Sequence, residues 1–310
     1  MKALIVAAGN VGRAVLHVLI TKGWAHQFFT ERNDLDAFKK AIQNVDVVFI
    51  TISTKDKGEA ELAYLMCCVE MKIPVVTCAK GACAWYFKTL KPYLHHHIGI
   101  TAVVGGGSEI LPLAMYDPSD PIKRLCAIEN GTINLLCWGM QGGLESEEAT
   151  LAEALRRELP EPGATGLKSM FDSENRDMWM KGAVTWNVTG LGDIITPDDF
   201  SFPLFEEDLI RNLISKPGNR LVFEIKEMPE NYRYSFSFEP FSLYRKPWLI
   251  LGSFVPDAER VFPGLDISQE SNAIMVARAS GIYPKSGRGA GSKITAKTMF
   301  NDGCKLLGIV

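Results

Sequence analysis

Apolar and polar residues in the first third of the chain fall into blocks typical of alternating strands and helices. Residues 3–8 are a continuous apolar run, as expected for a strand buried on both faces. Residues 13–21 follow with apolar residues at helical spacing. Further strands are predicted at 26–30, 45–52, 73–77 and 98–104, with helices at 59–71 and 82–94. This alternation predicts an α/β domain with a doubly wound parallel sheet of the Rossmann type.

The rest of the chain is richer in strands, which predicts a second domain of the α+β class. The turn cluster at 117–121 is the best candidate hinge. We therefore predict a first domain over residues 1–121, completed by residues 287–310, and a second domain over 122–286. Predicted elements after the hinge are strands at 122–128, 221–226, 234–238, 248–254 and 273–279, and helices at 146–158, 172–181 and 294–307.

Composition narrows the class of protein. Hydrophobic residues make up 47% of the 310 residues and charged residues 22%, as in an ordinary globular protein, and the net charge of −3 argues against a general nucleic-acid binder. No apolar run reaches the ~18–20 residues of a membrane helix. The seven cysteines are scattered without a CxxC pair, which is typical of a reduced cytoplasmic protein. His95, His96 and His97 are adjacent and predict a polar turn, so no metal site is expected.

A glycine-rich turn joins the first strand to the first helix. Gly9, Asn10, Val11 and Gly12 match the end of the dinucleotide fingerprint, and Ala7 takes the place of its first glycine. In that motif, one glycine lets the backbone approach a pyrophosphate and another lets helix and strand pack closely. The alternative is a tight turn that binds no ligand.

Residues near the ends of the next strands are further candidates for cofactor binding. Glu31 lies where an acidic residue would bind the ribose hydroxyls of NAD, whereas the adjacent Arg32 would suit the 2′-phosphate of NADP. Thr51 and Ser53 follow a buried strand, at the edge where doubly wound sheets bind ligands. The cofactor is therefore expected to be NAD or NADP, with the choice open.

Two lysines are candidates for the chemistry. Asp177 and Lys181 are four residues apart on a predicted helix and so share one face, with Asp172 about a turn before them. Taken alone, such a pair is usually a surface ion pair. Lys80 follows a buried strand, where either a reactive lysine or a solvated loop charge can stand.

Five motifs in order resemble the homoserine dehydrogenase family over nearly the whole chain. They are residues 9–12, 76–80 (Val-Thr-Cys-Ala-Lys), 104–107 (Val-Gly-Gly-Gly), 130–134 (Asn-Gly-Thr-Ile-Asn) and 287–291 with 295–296. The spacing of Asp172, Asp177 and Lys181 is similar to that of the family's substrate helix, and Glu161-Pro162 to its acidic loop. No regulatory domain follows, so the chain looks like a short form.

The resemblance implies an enzyme that transfers a hydride between NAD(P)H and aspartate semialdehyde to give homoserine, in the threonine and methionine branch of amino-acid biosynthesis. By similarity, Lys80 and Lys181 flank the reacting oxygen and Asp177 holds Lys181. The substrate's ammonium group would be bound by Glu161 and Asp172. The family's glycine-rich loops add Gly106 on the substrate side and Gly289 and Gly291 on the cofactor side, and the second domain's sheet forms a homodimer.

The sequence also departs from the family's motifs at the edges of the expected site. Thr101 stands where the family has a glutamate that helps to hold a monovalent cation. Ser108 and Glu109 replace an apolar residue and proline, Arg288 replaces proline, and Gly163 replaces an aspartate. Two alternatives therefore stay open: a dehydrogenase on the same scaffold for another small amino acid or semialdehyde, and a nucleotide-binding protein without turnover.

Overall fold

The structure, a computed structural model, describes residues 1–31, 34–160, 163–201, 205–228, 241–289 and 291–309. They divide into two compact units, residues 1–109 with 292–310 and residues 110–291. The predicted strand at 234–238 lies outside the described residues. Among those described, no helix is both long and apolar enough to cross a membrane.

The first unit is a five-stranded parallel sheet, which confirms the Rossmann-type prediction. Its strand order is β2-β1-β3-β4-β5, so the direction of winding reverses beside β1. The strands are β1 (Lys2–Val6), β2 (Ala25–Phe29), β3 (Val47–Ile50), β4 (Val75–Thr77) and β5 (Ile98–Gly99). The helices between them are α1 (Asn10–Thr21), α2 (Leu35–Ile42), α3 (Glu59–Glu70), α4 (Gly81–Trp85) and α5 (Phe87–Leu90).

Two predictions in this unit are wrong. The helix predicted at 82–94 is broken into α4 and α5, because Tyr86 between them leaves the helical conformation at φ −114° and ψ 25°. The strand predicted at 98–104 stops at Gly99. Two residues later, the Thr101 N–H donates to the side chain of Asp302 at 2.8 Å and not to a neighbouring strand.

In the described part of the second unit, six strands form one sheet in which every pair of neighbours is antiparallel, so the predicted α+β class is confirmed. Its strand order is β11-β10-β6-β7-β9-β8. The strands are β6 (Ile122–Ile128), β7 (Arg220–Glu227), β8 (Phe241–Arg245), β9 (Trp248–Val255), β10 (Ser271–Arg278) and β11 (Ile282–Arg288). The helices are α6 (Ile110–Ala114), α7 (Gly131–Trp138), α8 (Glu147–Arg156), α9 (Leu167–Thr189), α10 (Glu207–Ser215) and α11 (Ala258–Val261).

The division between the units lies at Glu109, earlier than the predicted hinge at 117–121. The reason is that α6 and the turn after it are bound to the second unit: the Arg278 guanidinium donates to the carbonyls of Leu113 and Met115. The predicted glycine-rich turn at 287–291 also begins later, because β11 extends to Arg288.

The last helix, α12 (Ser292–Leu306), belongs to the first unit, as the sequence predicts for the end of the chain. Ala296 and Met299 of α12 are fully buried in one core cluster with Ile5 of β1 and Val15 of α1. The packing of α12 against β1 and α1 therefore completes the core of the first unit.

Candidate active site

In the turn between β1 and α1, the backbone of Gly12 packs closely against Ala7 and Thr51. A Cβ atom on Gly12 would lie 2.3 Å from the carbonyl oxygen of Ala7 and 2.8 Å from Oγ1 of Thr51, so only glycine fits at this position. Ala7, where the fingerprint has its first glycine, adopts the left-handed conformation at φ 75°. The turn thus keeps the backbone path that glycine favours although it carries a methyl group there.

Gly9 has a different environment from Gly12. A Cβ atom on Gly9 would meet no atom within 4 Å, and α1 begins at the next residue, Asn10. The first N–H groups of a helix have no partner within the helix, and a helix N-terminus attracts anions. The turn therefore combines open space with a helix N-terminus at the sheet edge where the winding reverses, which is where a doubly wound sheet is expected to bind a ligand.

Thr51 and Ser53 follow β3 at the same edge. The hydroxyl of Thr51 donates to the carbonyls of Val6 at 2.8 Å and Ala7 at 3.2 Å, so this side chain fixes the turn after β1. Ser53 is exposed. A direct contact of either residue with a cofactor stays a prediction.

The two residues predicted to choose between NAD and NADP follow β2. Glu31 is exposed, and its carbonyl accepts a long hydrogen bond of 3.4 Å from the Tyr64 hydroxyl. Arg32 lies outside the described residues. The preference between the two cofactors is therefore open.

Lys80 lies in the turn after β4, directly before α4, and is half-buried. The buried carboxylate of Glu61 holds this turn by accepting the Ala82 N–H at 2.7 Å and the Thr54 hydroxyl at 3.0 Å. Thr54 in turn accepts the Gly81 N–H at 3.0 Å. Burial raises the pKa of Glu61, against the hydrogen bonds and the charge of Lys80, which lower it. Sequence reasoning missed Glu61, whose burial has no signal in the sequence.

In the second unit, α9 carries a buried ion pair. Lys181 Nζ lies 2.6 Å from Asp177 Oδ2 and donates to the carbonyl oxygen of Glu129 at 2.8 Å. Only 8% of Lys181 and 3% of Asp177 is exposed, so this is not a solvated surface pair. An ammonium has three N–H groups. In the described part of the chain, two of those of Lys181 point to Asp177 and to the Glu129 carbonyl.

Asn130 links this pair to a second carboxylate. Its side-chain oxygen accepts the Ile133 N–H at 2.8 Å and caps α7, while its amide nitrogen donates to Glu174 Oε2 at 2.6 Å and to Asp177 Oδ2 at 3.2 Å. Glu174 is buried. It lies three residues before Asp177 and seven before Lys181, so the three side chains share one face of α9. Sequence reasoning missed Glu174, although this spacing is visible in the sequence.

Glu129, at the end of β6, is the most enclosed carboxyl of this cluster, with no exposed surface. Its Oε1 accepts the Thr185 hydroxyl at 2.7 Å, and its carbonyl also accepts the Asn272 amide at 3.2 Å. Burial raises the pKa of Glu129 to about 8, helped by the charge of Asp177 and opposed by Thr185 and Lys181. Sequence reasoning missed this residue.

The raised pKa of Glu129 predicts a pH-dependent stability. Between its ordinary value of 4.5 and about 8 the folded protein binds the extra proton, so the free energy of unfolding falls as pH rises through this window. Glu129→Gln removes this dependence. We expect the stability of the variant relative to wild type to increase by about 1–3 kcal/mol from pH 5 to pH 8, measured by urea unfolding. Glu224→Gln, at another buried glutamate, is the control. An equal difference at both pH values would contradict the prediction.

Comparison with solved structures returns homoserine dehydrogenases over the whole chain. The enzyme from Thermoplasma acidophilum matches with a TM-score of 0.73 and 16% identity, over 100% of this chain and 99% of that chain. Those from Thiobacillus denitrificans and S. aureus match with TM-scores of 0.67 and 0.64 and identities of 18% and 17%, over 100% of this chain and 73% and 76% of theirs. The chain has the fold of the homoserine dehydrogenases. No protein-family model and no curated protein matches the sequence.

Of the two residues that the homoserine dehydrogenase resemblance assigns to the substrate's ammonium group, Asp172 lies among the described residues. Asp172 is on the exposed side of α9 and forms an ion pair with Lys168 at 2.9 Å. Glu161 lies outside the described residues. Five positions separate Asp172 from Asp177, so the two carboxylates point to different sides of the helix.

The glycines of the homoserine dehydrogenase motifs have separate structural roles. Gly106 is buried, and its carbonyl accepts the Thr298 hydroxyl of α12 at 3.0 Å. A Cβ atom on Gly289 would lie 2.0 Å from the side chain of Asn272, whereas one on Gly291 would meet no atom within 4 Å. Gly289 thus allows a close approach within the second unit, and the predicted contacts of all three with ligands stay predictions.

Proposed function

We propose that this chain is an NAD(P)-dependent oxidoreductase that interconverts aspartate semialdehyde and L-homoserine, in the threonine and methionine branch of amino-acid biosynthesis. The observation that carries the proposal is Lys181, a buried ammonium held by Asp177 and by the Glu129 carbonyl on a fold shared with homoserine dehydrogenases. The cofactor, when bound, supplies or accepts the hydride.

The residues of the second unit suit the proton transfer that accompanies this hydride transfer. When an aldehyde is reduced, negative charge grows on its oxygen, and a buried ammonium stabilises that charge more strongly than one in water. Lys181 donates the proton to this oxygen, and in the reverse direction it accepts the proton of the alcohol. Asp177 and the Glu129 carbonyl fix the position of the amine. Lys80 is assigned a supporting role at the same oxygen by resemblance alone.

The first unit fits the nicotinamide dinucleotide. The open space beside Gly9 and the N-terminus of α1 would receive the pyrophosphate, and the contact of Gly12 with Ala7 would hold the turn in place. Glu31 follows β2, where it would bind a ribose.

The test is the formation of reduced nicotinamide from L-homoserine, with NAD and NADP in turn. We expect turnover with at least one of them, and the ratio of the two kcat/KM values gives the cofactor preference. Binding of either cofactor without turnover of homoserine would overturn the proposed substrate. A panel of small amino acids and semialdehydes then separates a different dehydrogenase from a protein that binds the nucleotide without chemistry.

One observation favours the alternative of another substrate on the same scaffold. Asp172 is exposed and forms an ion pair with Lys168, and Gly163 has no side chain in the acidic loop. The resemblance assigns Asp172 to the substrate's ammonium group and expects an aspartate at position 163. A substrate without the α-amino group, such as a simple semialdehyde, would react better than homoserine or its aldehyde if this alternative holds.

Assembly and location are part of the proposal. We propose a homodimer formed through the antiparallel sheet and a cytoplasmic location, as the resemblance and the composition indicate. Sedimentation velocity of the purified chain measures the first directly.

A further inference from the structure

Glu129 occupies an unusual place beside Lys181, because its backbone and its side chain contact successive turns of α9. The backbone carbonyl accepts the Lys181 ammonium at 2.8 Å, and the side chain accepts the Thr185 hydroxyl, one turn later, at 2.7 Å. Asn272 of β10 donates to the same carbonyl at 3.2 Å. The backbone carbonyl that orients Lys181 therefore belongs to the same residue as the carboxyl, and the contacts of the carboxyl help to hold it in place.

The other oxygen of this carboxyl is buried without a hydrogen-bond partner among the described residues. A buried carboxylate oxygen without a donor is costly, whereas a neutral carboxylic acid is much less so. The charged groups that act on the Glu129 carboxyl are Lys181 and Asp177, both on α9. From β10, the neutral Asn272 donates to the backbone carbonyl of the same residue. Glu174 of α9 and Asn130, at the start of α7, belong to the same hydrogen-bonded cluster.

We propose that Glu129 is a positioning residue that controls the charge around Lys181 by changing between a neutral carboxylic acid and a carboxylate. In the neutral form, Asp177 is the carboxylate paired with the ammonium. In the ionised form, a second negative charge stabilises the ammonium and makes Lys181 a poorer acceptor for the alcohol proton. Oxidation of the alcohol is therefore restrained at alkaline pH, while reduction at neutral pH is not.

The kinetic test rests on the proposed function. Glu129→Gln keeps an oxygen for Thr185 and cannot ionise, and Glu129→Asp ionises. The first variant is expected to oxidise homoserine about three- to tenfold faster than wild type at pH 9.5, and at a similar rate at pH 7. Glu129→Asp is expected to keep the wild-type shape of the profile. A purely structural role predicts instead that kcat falls by the same factor at every pH, which would overturn the inference.

A second measurement does not need turnover. In protein labelled with ¹³C at the glutamate side-chain carboxyl, one resonance is expected to titrate near pH 8 in wild type and in the control Glu224→Gln, and to be absent in Glu129→Gln. Without that resonance the inference fails, even if homoserine is turned over. If the resonance titrates but no homoserine reacts, the proposed substrate fails and the ionisation of Glu129 stands.

Discussion

Replacing Lys181 with methionine is expected to lower kcat for homoserine oxidation by about 10²- to 10⁴-fold, the usual contribution of a positioned acid or base. The reason is that the ammonium is buried and is held by Asp177 and the Glu129 carbonyl. Cofactor affinity is expected to stay within about twofold, because the proposed pyrophosphate cradle belongs to the first unit. Steady-state kinetics and calorimetric titration of the cofactor measure the two effects separately.

Two further variants show whether the effect belongs to proton transfer. Lys181→Arg keeps a cation beside Asp177 but does not release its proton near neutral pH, so kcat is expected to fall nearly as far while the fold is kept. Lys226→Met removes another partly buried lysine of the same unit, paired with Glu224 at 2.8 Å, and is expected to leave kcat unchanged. An active Lys181→Arg enzyme would show that charge alone is required.

The start of the first unit could be predicted from the sequence because its signals are local. A buried strand, a glycine turn and a helix are consecutive between residues 2 and 21, and each has its own pattern. The strand at 122–128 is confirmed to the residue. The helix predicted at 146–158 is present as α8, which Ser146 caps by accepting the Ala149 N–H at 3.1 Å. These features depend on neighbours in the chain.

Elements that depend on distant contacts could not be predicted. Residues 133–138 are an apolar run without a clear period, so the sequence predicts no helix there. They are part of α7, a helix buried on nearly all sides and capped by Asn130. A helix buried in this way loses the alternation that identifies an amphipathic one. The amphipathic α10 was not singled out.

In the candidate site, too, the features that depend on contacts between distant residues could not be predicted. The pair Asp177 and Lys181 was visible as a spacing of four, but its burial was not, and burial is what separates it from a surface ion pair. Glu129 reaches the pair from β6, more than forty residues earlier in the sequence, and Glu61 holds the Lys80 turn from α3. A carboxylate in a sequence is read as exposed until the fold encloses it.

Gly9 and Gly12, the two glycines of the turn between β1 and α1, are expected to respond differently to replacement by alanine. Gly12→Ala places a methyl carbon 2.3 Å from the Ala7 carbonyl oxygen and 2.8 Å from Oγ1 of Thr51, which forces α1 away from β1. We expect a loss of about 1–3 kcal/mol in the free energy of unfolding and at least a tenfold weaker affinity for the nicotinamide cofactor. Urea unfolding and fluorescence titration with NADH and NADPH measure the two quantities.

Gly9→Ala is the matched variant that separates binding from folding. Its φ of −69° suits alanine and its methyl group would meet no protein atom within 4 Å, so stability is expected to change by less than about 1 kcal/mol. The methyl group would instead fill the space proposed for the pyrophosphate, and affinity is expected to fall about tenfold. If Gly9→Ala binds both cofactors as tightly as wild type, the phosphate does not lie at the start of α1. The contact of Gly12 would then serve only the packing of the helix on its strand.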